Sequence, residues 1–223
     1  MNKLFIIGLP RTGTTSISIA MLDYNFNVAH TAYTKRAFEL ADVLSDSPCF
    51  SDYQQLDVLF PDSKFVYLDR ALSDWIPSIQ MLLKKMHTNL EPKAGIFNPV
   101  LKRSFNEAFS LYIKPLNQKG SAKTLILNEL AFDEDHLTSC YLTHKNQVLD
   151  YFSQRDDLLI INLSDKESLD KLLTFLDIPH DKDVTFPHIN IGKHVSGWRE
   201  HKHPNKVNAL SAGEDQRKFF DYK

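Results

Sequence analysis

The apolar run Leu4-Phe5-Ile6-Ile7 passes directly into Gly8-Leu9-Pro10-Arg11-Thr12-Gly13-Thr14-Thr15-Ser16, a glycine loop rich in hydroxyls. Four apolar residues without polar alternation read as a strand buried on both faces. The pattern after the loop predicts a helix over Thr14–Tyr24. A chain that turns from a buried strand through such a loop into a helix forms an anion cradle. Successive backbone N–H groups and the positive end of the helix hold a tetrahedral oxyanion without a metal, and Arg11 adds a cation from inside the loop.

The rest of the chain alternates strand and helix patterns, which predicts a parallel sheet covered on both sides. Further strands are expected at Phe65–Leu68 and Leu158–Leu163, with shorter ones at Phe26–Ala29 and Cys49–Ser51. Helices are expected at Thr34–Leu44, Ser73–Met86, Pro99–Leu116, His136–Phe152 and Lys166–Leu176, with Ser73 as a cap and Pro77 in the following turn. With 223 residues, 43% of them hydrophobic, the chain has material for one good core. The expected architecture is α/β, a P-loop-type open parallel sheet of about four or five strands with helices on both faces. The whole chain, 1–223, is expected to be a single domain, with a helical insertion at about 84–123 and an irregular tail or lid from about 177 onward. Ligands of such sheets lie beyond the strands' carboxyl ends, where Gly8–Thr15, Asp52 and Arg70 are expected to emerge.

A Walker A loop reads G-x-x-x-x-G-K-[ST], and Thr14 stands here in place of its lysine. The loop instead resembles the 5′-phosphosulfate loop of the sulfotransferase superfamily. A second feature of that superfamily is an arginine ending a strand with a serine eight positions later, and Lys64-Phe65-Val66-Tyr67-Leu68-Asp69-Arg70 leads to Ser78 at that spacing. The run Leu158–Leu163, the segment Leu169–Leu176 and the stretch Phe186-Pro187-His188-Ile189-Asn190 are similar to the closing part of bacterial-type members. The resemblance implies 3′-phosphoadenosine 5′-phosphosulfate (PAPS) as sulfuryl donor, adenosine 3′,5′-bisphosphate as product, and no metal. It assigns Pro10, Arg11, Thr12, Gly13, Thr14, Thr15 and Ser16 to the 5′-phosphosulfate, and Arg70 and Ser78 to the 3′-phosphate. Lys193, in Asn190-Ile191-Gly192-Lys193-His194, resembles the late basic loop over that phosphate; a solvated tail lysine is the plain alternative.

Sulfuryl transfer asks for charge stabilisation at the leaving oxygen, which falls to Arg11, and for a base on the acceptor's proton. In the resembled family the base follows the second strand, which places Asp52 there after Cys49-Phe50-Ser51. His30, after Phe26–Ala29, has the better intrinsic pKa and is the second candidate. For both, a structural side chain at a strand end is the competing reading.

A net charge of −2 gives no global signal for nucleic acid or a membrane, so neither is expected as a partner. The chain shows no secretory signal and no transmembrane-length apolar run, and a cytoplasmic protein is expected. Cys49 and Cys140 have no metal-ligand spacing and read as buried or idle thiols. Between Lys84 and Lys123 eight basic residues face only Glu91 and Glu107. The polar side of an amphipathic helix carrying Val100, Leu101, Phe105, Phe109, Tyr112 and Leu116 accounts for them; an anionic acceptor is the alternative. The acceptor is expected to be a small molecule or carbohydrate. Two rival functions are a P-loop kinase or NTPase, with Asp69 imitating a Mg²⁺-holding carboxylate, and a nucleotide-binding module without catalysis.

Overall fold

A computed structural model of the protein describes residues 3–114, 126–181, 184–186 and 197–214. It forms two compact units, one of residues 1–70 and 152–223, the other of residues 71–151.

The first unit is built on a five-stranded parallel sheet. Its strands are β1 (Leu4–Ile6), β2 (Val28–Ala29), β3 (Val43–Ser45), β4 (Lys64–Leu68) and, after the helical unit, β7 (Leu158–Ile161). The order across the sheet is β2-β3-β1-β4-β7. Strand β1 therefore sits in the middle, with Phe5 opposite Leu44 on one side and Phe65 on the other. The chain works outward from β1 first toward β2 and β3, then reverses to β4 and β7, and this reversal opens a crevice at the carboxyl end of β1.

Alternation along the strands divides the core. Leu4, Ile6, Val28, Val43, Val66, Leu68 and Ile161 form one apolar cluster with Ile17, Ala20 and Met21 of α1 (Thr14–Asp23) and Leu169, Leu172 and Leu173 of α7 (Ser168–Phe175). On the opposite face Phe5 stacks on Phe65 (5.5 Å between centroids) and approaches Phe60, which stacks on Phe38 (5.8 Å) of α2 (Lys35–Leu40). Phe60 directly follows α3 (Cys49–Leu59). Every residue of β1 is wholly buried, as a strand covered on both sides must be.

Two expected elements near the site are reversed. The helix predicted over Thr34–Leu44 stops at Leu40, and its last residues belong to β3; the strand predicted at Cys49–Ser51 is the start of α3. A three-residue strand has no room to show a period, while Cys49 and Phe50 are apolar because α3 buries them against the sheet.

The second unit holds α4 (Leu72–Leu90), α5 (Pro99–Phe109) and α6 (Glu134–Tyr151), a 3₁₀ turn at Glu129–Phe132, and a two-stranded antiparallel pair, β5 (Tyr112–Ile113) with β6 (Ile126–Leu127). Of the insertion expected at about 84–123, residues 84–114 are described and fall within this unit; residues 115–123 lie outside the described residues. Trp75, wholly buried, packs on Tyr141 (4.7 Å) and Phe109 (6.4 Å). Helix α5 ends earlier than its apolar stripe suggests, because Ser110 turns left-handed at φ 48° and Tyr112 continues as strand. Helix α4 begins earlier than expected, with Ala71 as its N-cap, so Ser73 lies inside it. The structure also completes α8 (Gly197–Glu200) in the tail of the first unit. Among the described residues no helix is long and apolar enough to cross a membrane.

The glycine loop tolerates no side chain at its first glycine. A Cβ on Gly8 would lie 2.8 Å from Leu68 Cβ and 2.9 Å from the Leu68 backbone nitrogen, because the loop leaves β1 flush against β4. Gly8→Ala must push two strands apart, and we expect a loss of about 1–3 kcal/mol in unfolding free energy, read as a lower urea midpoint at unchanged slope.

Candidate active site

Gly8–Ser16, His30, Asp46 and Arg70 belong to the first unit and follow the carboxyl ends of β1, β2, β3 and β4. The loop after β1 bends through two left-handed residues, Arg11 at φ 74° and Gly13 at φ 114°. Thr12 closes the bend, its hydroxyl donating to the Leu9 carbonyl at 2.7 Å. Helix α1 then starts with Gly13 as N-cap, no side-chain cap and no acidic residue in its first turn. The first intrahelical bond is from Ile17 N to Gly13 O (3.2 Å), so the N–H groups ahead of it point out of the helix end toward the crevice. That geometry suits an anion.

Strand β4 runs on through Asp69 to Arg70, whose guanidinium Nη1 donates to the Arg11 carbonyl at 2.6 Å. The second arginine thereby braces the loop that carries the first. Burial holds the Arg11 pKa below its ordinary value, the nearby Arg70 charge pushes it the same way, and Asp46 opposes both. Two cations held close at the mouth of a helix make a place for a ligand with more than one negative charge.

Asp46 is the residue that follows β3, at φ 56°. Its carboxylate accepts from the Thr14 hydroxyl at 3.5 Å and lies 3.9 Å from Nδ1 of His30. Burial raises the Asp46 pKa, an effect that His30, the Ser47 backbone, Thr14 and Arg11 only partly offset. His30 follows β2, and its Nε2 lies 2.8 Å from the Thr15 hydroxyl. With the carboxylate facing Nδ1, the ring proton belongs there and Nε2 accepts from Thr15. Burial lowers the His30 pKa; Asp46 raises it and Lys206 lowers it further. Both side chains keep a small window to solvent, 13% for His30 and 17% for Asp46. Beneath them Ser18 Oγ lies 2.7 Å from the Thr14 carbonyl and 2.7 Å from Ser45 Oγ, which reaches the His30 carbonyl at 3.2 Å. These two wholly buried serines tie α1 to the ends of β2 and β3.

The structure thus brings Arg11, the loop, Arg70 and His30 to one end of the sheet, and it corrects the position of Asp52. Asp52 is not at a strand terminus: it is a wholly buried residue of α3, where its Oδ1 accepts from the Ser51 hydroxyl at 2.7 Å. The carboxylate at the end of the strand is Asp46, which sequence reasoning missed because β3 was read as helix. The signal is an aspartate two positions after the apolar pair Val43-Leu44. Ser78 is a buried residue of α4 in the second unit. Lys193 lies outside the described residues. Among the described residues no group of three His, Cys, Asp or Glu side chains is arranged to hold a metal ion.

The raised pKa of Asp46 has a consequence for stability. A carboxyl that is harder to ionise when folded than when unfolded favours the fold below the ordinary value of 3.8, and that contribution is lost as pH rises through the folded value. Asp46→Asn removes the loss, so it should melt above the wild type at about pH 7.5, with the gap closing as pH falls toward about 4. Calorimetric melts across that range check both the sign and the direction.

A family model described as a sulfotransferase domain matches residues 31–195, and no curated protein matches the chain. The match begins downstream of Gly8–Ser16, so the anion loop and the family match are separate lines of support. Since the matched region covers the greater part of the chain and contains β3, β4 and β7 of the sheet, the protein belongs to the sulfotransferase family.

Proposed function

We propose that the protein transfers a sulfuryl group from PAPS to a hydroxyl or amine of a small-molecule or carbohydrate acceptor. The observation that carries this reading is the pair Arg11 and Arg70, braced together at the N-terminus of α1, in a chain of the sulfotransferase family. A donor with phosphates at both its 3′ and 5′ positions is the polyanion that two such cations suit. The residues present fit it: the first N–H groups of α1 have no helical partner, and no acidic residue opens the helix.

PAPS supplies the sulfuryl group. The bond from sulfur to the bridging phosphate oxygen breaks as one from the acceptor oxygen or nitrogen forms, and the acceptor's proton must leave. Arg11 and the N–H groups of Gly13, Thr14 and Thr15 neutralise the charge that grows on the leaving oxygen. Arg70 offers a fork to the 3′-phosphate. Asp46 and His30 act as a coupled pair that takes the acceptor's proton. Burial makes the Asp46 carboxylate a stronger base than an exposed one, which answers the weakness of an ordinary aspartate in this role. Thr15 links that pair to the phosphosulfate cradle.

Titration calorimetry with adenosine 3′,5′-bisphosphate should show binding that needs no Mg²⁺ and weakens roughly tenfold or more in Arg70→Ala. ATP binding that requires Mg²⁺, with no affinity for the bisphosphate, would overturn the reading in favour of a kinase or NTPase. In assays of labelled sulfuryl transfer, Arg11→Ala should lower kcat by about 10²–10³. Asp46→Asn should abolish turnover while keeping bisphosphate affinity, whereas Asp52→Asn should leave the pH profile of turnover in place. The acid limb of that profile should lie above the ordinary carboxylate value, since the pair must shed its proton to work.

A further inference from the structure

The described part of the tail, residues 197–214, runs along the edge strand that carries His30. Residues 205–207 bracket Val28: its N–H donates to the Asn205 carbonyl at 2.9 Å, and Val207 N donates to the Val28 carbonyl at 2.8 Å. Asn205 also donates through its amide to the Asn25 carbonyl (3.2 Å). On the far side of His30, Tyr33 N donates to Ala209 O at 3.0 Å, and the Thr34 hydroxyl donates to Ser211 O at 2.7 Å. The tail therefore grips the chain at Asn25, Val28, Tyr33 and Thr34, on both sides of the one histidine.

The side chains converge on the same point. The indole of Trp198 lies 5.4 Å from the His30 ring at 40°. Lys206 Nζ sits 4.4 Å over that indole and donates to the carbonyls of Trp198 and His201, which ties the indole to the strap. Trp198 also rests on the apolar cluster that contains α1.

We propose that this strap is a positioning device for His30, in which Trp198 seats the imidazole between Thr15 and Asp46 and Lys206 locks Trp198 in place. Covering the sheet edge alone would need only the backbone bonds of residues 205–207; it would not need a tryptophan against the ring or a lysine drawn back across it. The strap is also set to govern the charge of the ring. The charged and titratable groups around it are Asp46 after β3, Arg11 in the loop beyond Asp46, Tyr33 after β2, Cys49 in α3 beside Asp46, and Lys206 in the strap itself. Of these, Lys206 opposes protonation of His30 and Asp46 favours it. The consequence for turnover rests on the sulfotransferase reading above; the effect on the ring does not.

The test uses the full chain with labelled histidine, the His30 resonances being assigned with His30→Gln. NMR titration should place the wild-type His30 midpoint below 6.5, and Trp198→Ala should raise it as water reaches the ring. Lys206→Met should shift it the same way by less, and Trp198→Phe should restore most of the wild-type value. In turnover assays Trp198→Ala should cost roughly 10- to 100-fold in kcat, with bisphosphate affinity within about twofold of wild type and the acid limb of the rate profile moving upward with the midpoint. A His30 midpoint unchanged in Lys206→Met, and in Trp198→Ala where it folds, would overturn the proposal. So would a midpoint that moves while the rate profile stays still. Absence of turnover in the wild type would instead count against the PAPS reading, and the titration would still decide what the strap does to His30.

Discussion

The bond from Arg70 to the Arg11 carbonyl joins the ends of two neighbouring strands, and much of the site depends on it. A loop with two left-handed residues does not hold its shape through local forces, since one of them is an arginine that pays for its backbone with strain. The bracing guanidinium fixes that shape from β4. It also sets a second cation near the first, which the fold bears through the opposing carboxylate of Asp46, while burial works against the Arg11 charge. On the proposed function, a bound anion would relieve this crowding, so the cradle's affinity and its internal repulsion would share one origin.

The basic half of the site rests on a different constraint. Asp46 and His30 emerge from adjacent strands of matched register, Val28 beside Val43 and Ala29 beside Leu44, which sets the next residues facing each other. Their buried setting works on the two in opposite directions, raising the carboxyl and lowering the imidazole. The two pKa values are drawn toward each other from their ordinary separation. A single proton shared between such groups is easier to accept and release than one held by either alone.

Much of this was legible in the sequence where a signal is carried by many residues or by a motif with a mechanism. The strands at Leu4, Phe65 and Leu158 each lie in an unbroken run of four apolar residues, and the loop after the first of them follows a motif with a mechanism. The short elements were not legible. Val43–Ser45 gains its identity from lying between β2 and β1, a tertiary fact, and the helix signal upstream of it overran by four residues. That one error moved the expected carboxylate from Asp46 to Asp52. In the same way α5 was read through Ser110, whose left-handed turn leaves no trace in an apolar stripe that continues past it. The hold of the tail on β2 was invisible because it is made mostly by backbone groups, which every residue carries.

The grip of the tail spans great distances along the chain. Asn25 meets Asn205 across 180 positions, and Thr34 meets Ser211 across 177. The loop's own contacts are close in sequence by comparison, Thr12 to Leu9 being three residues apart. Contacts that close such long stretches carry the largest loop-closure entropy and rest here on the last strand of the sheet, where the tail alone covers the backbone. On the proposed function, the anion would be held by the central strands of the sheet, while the acid–base pair would depend on a fastening made at its edge by the far end of the chain.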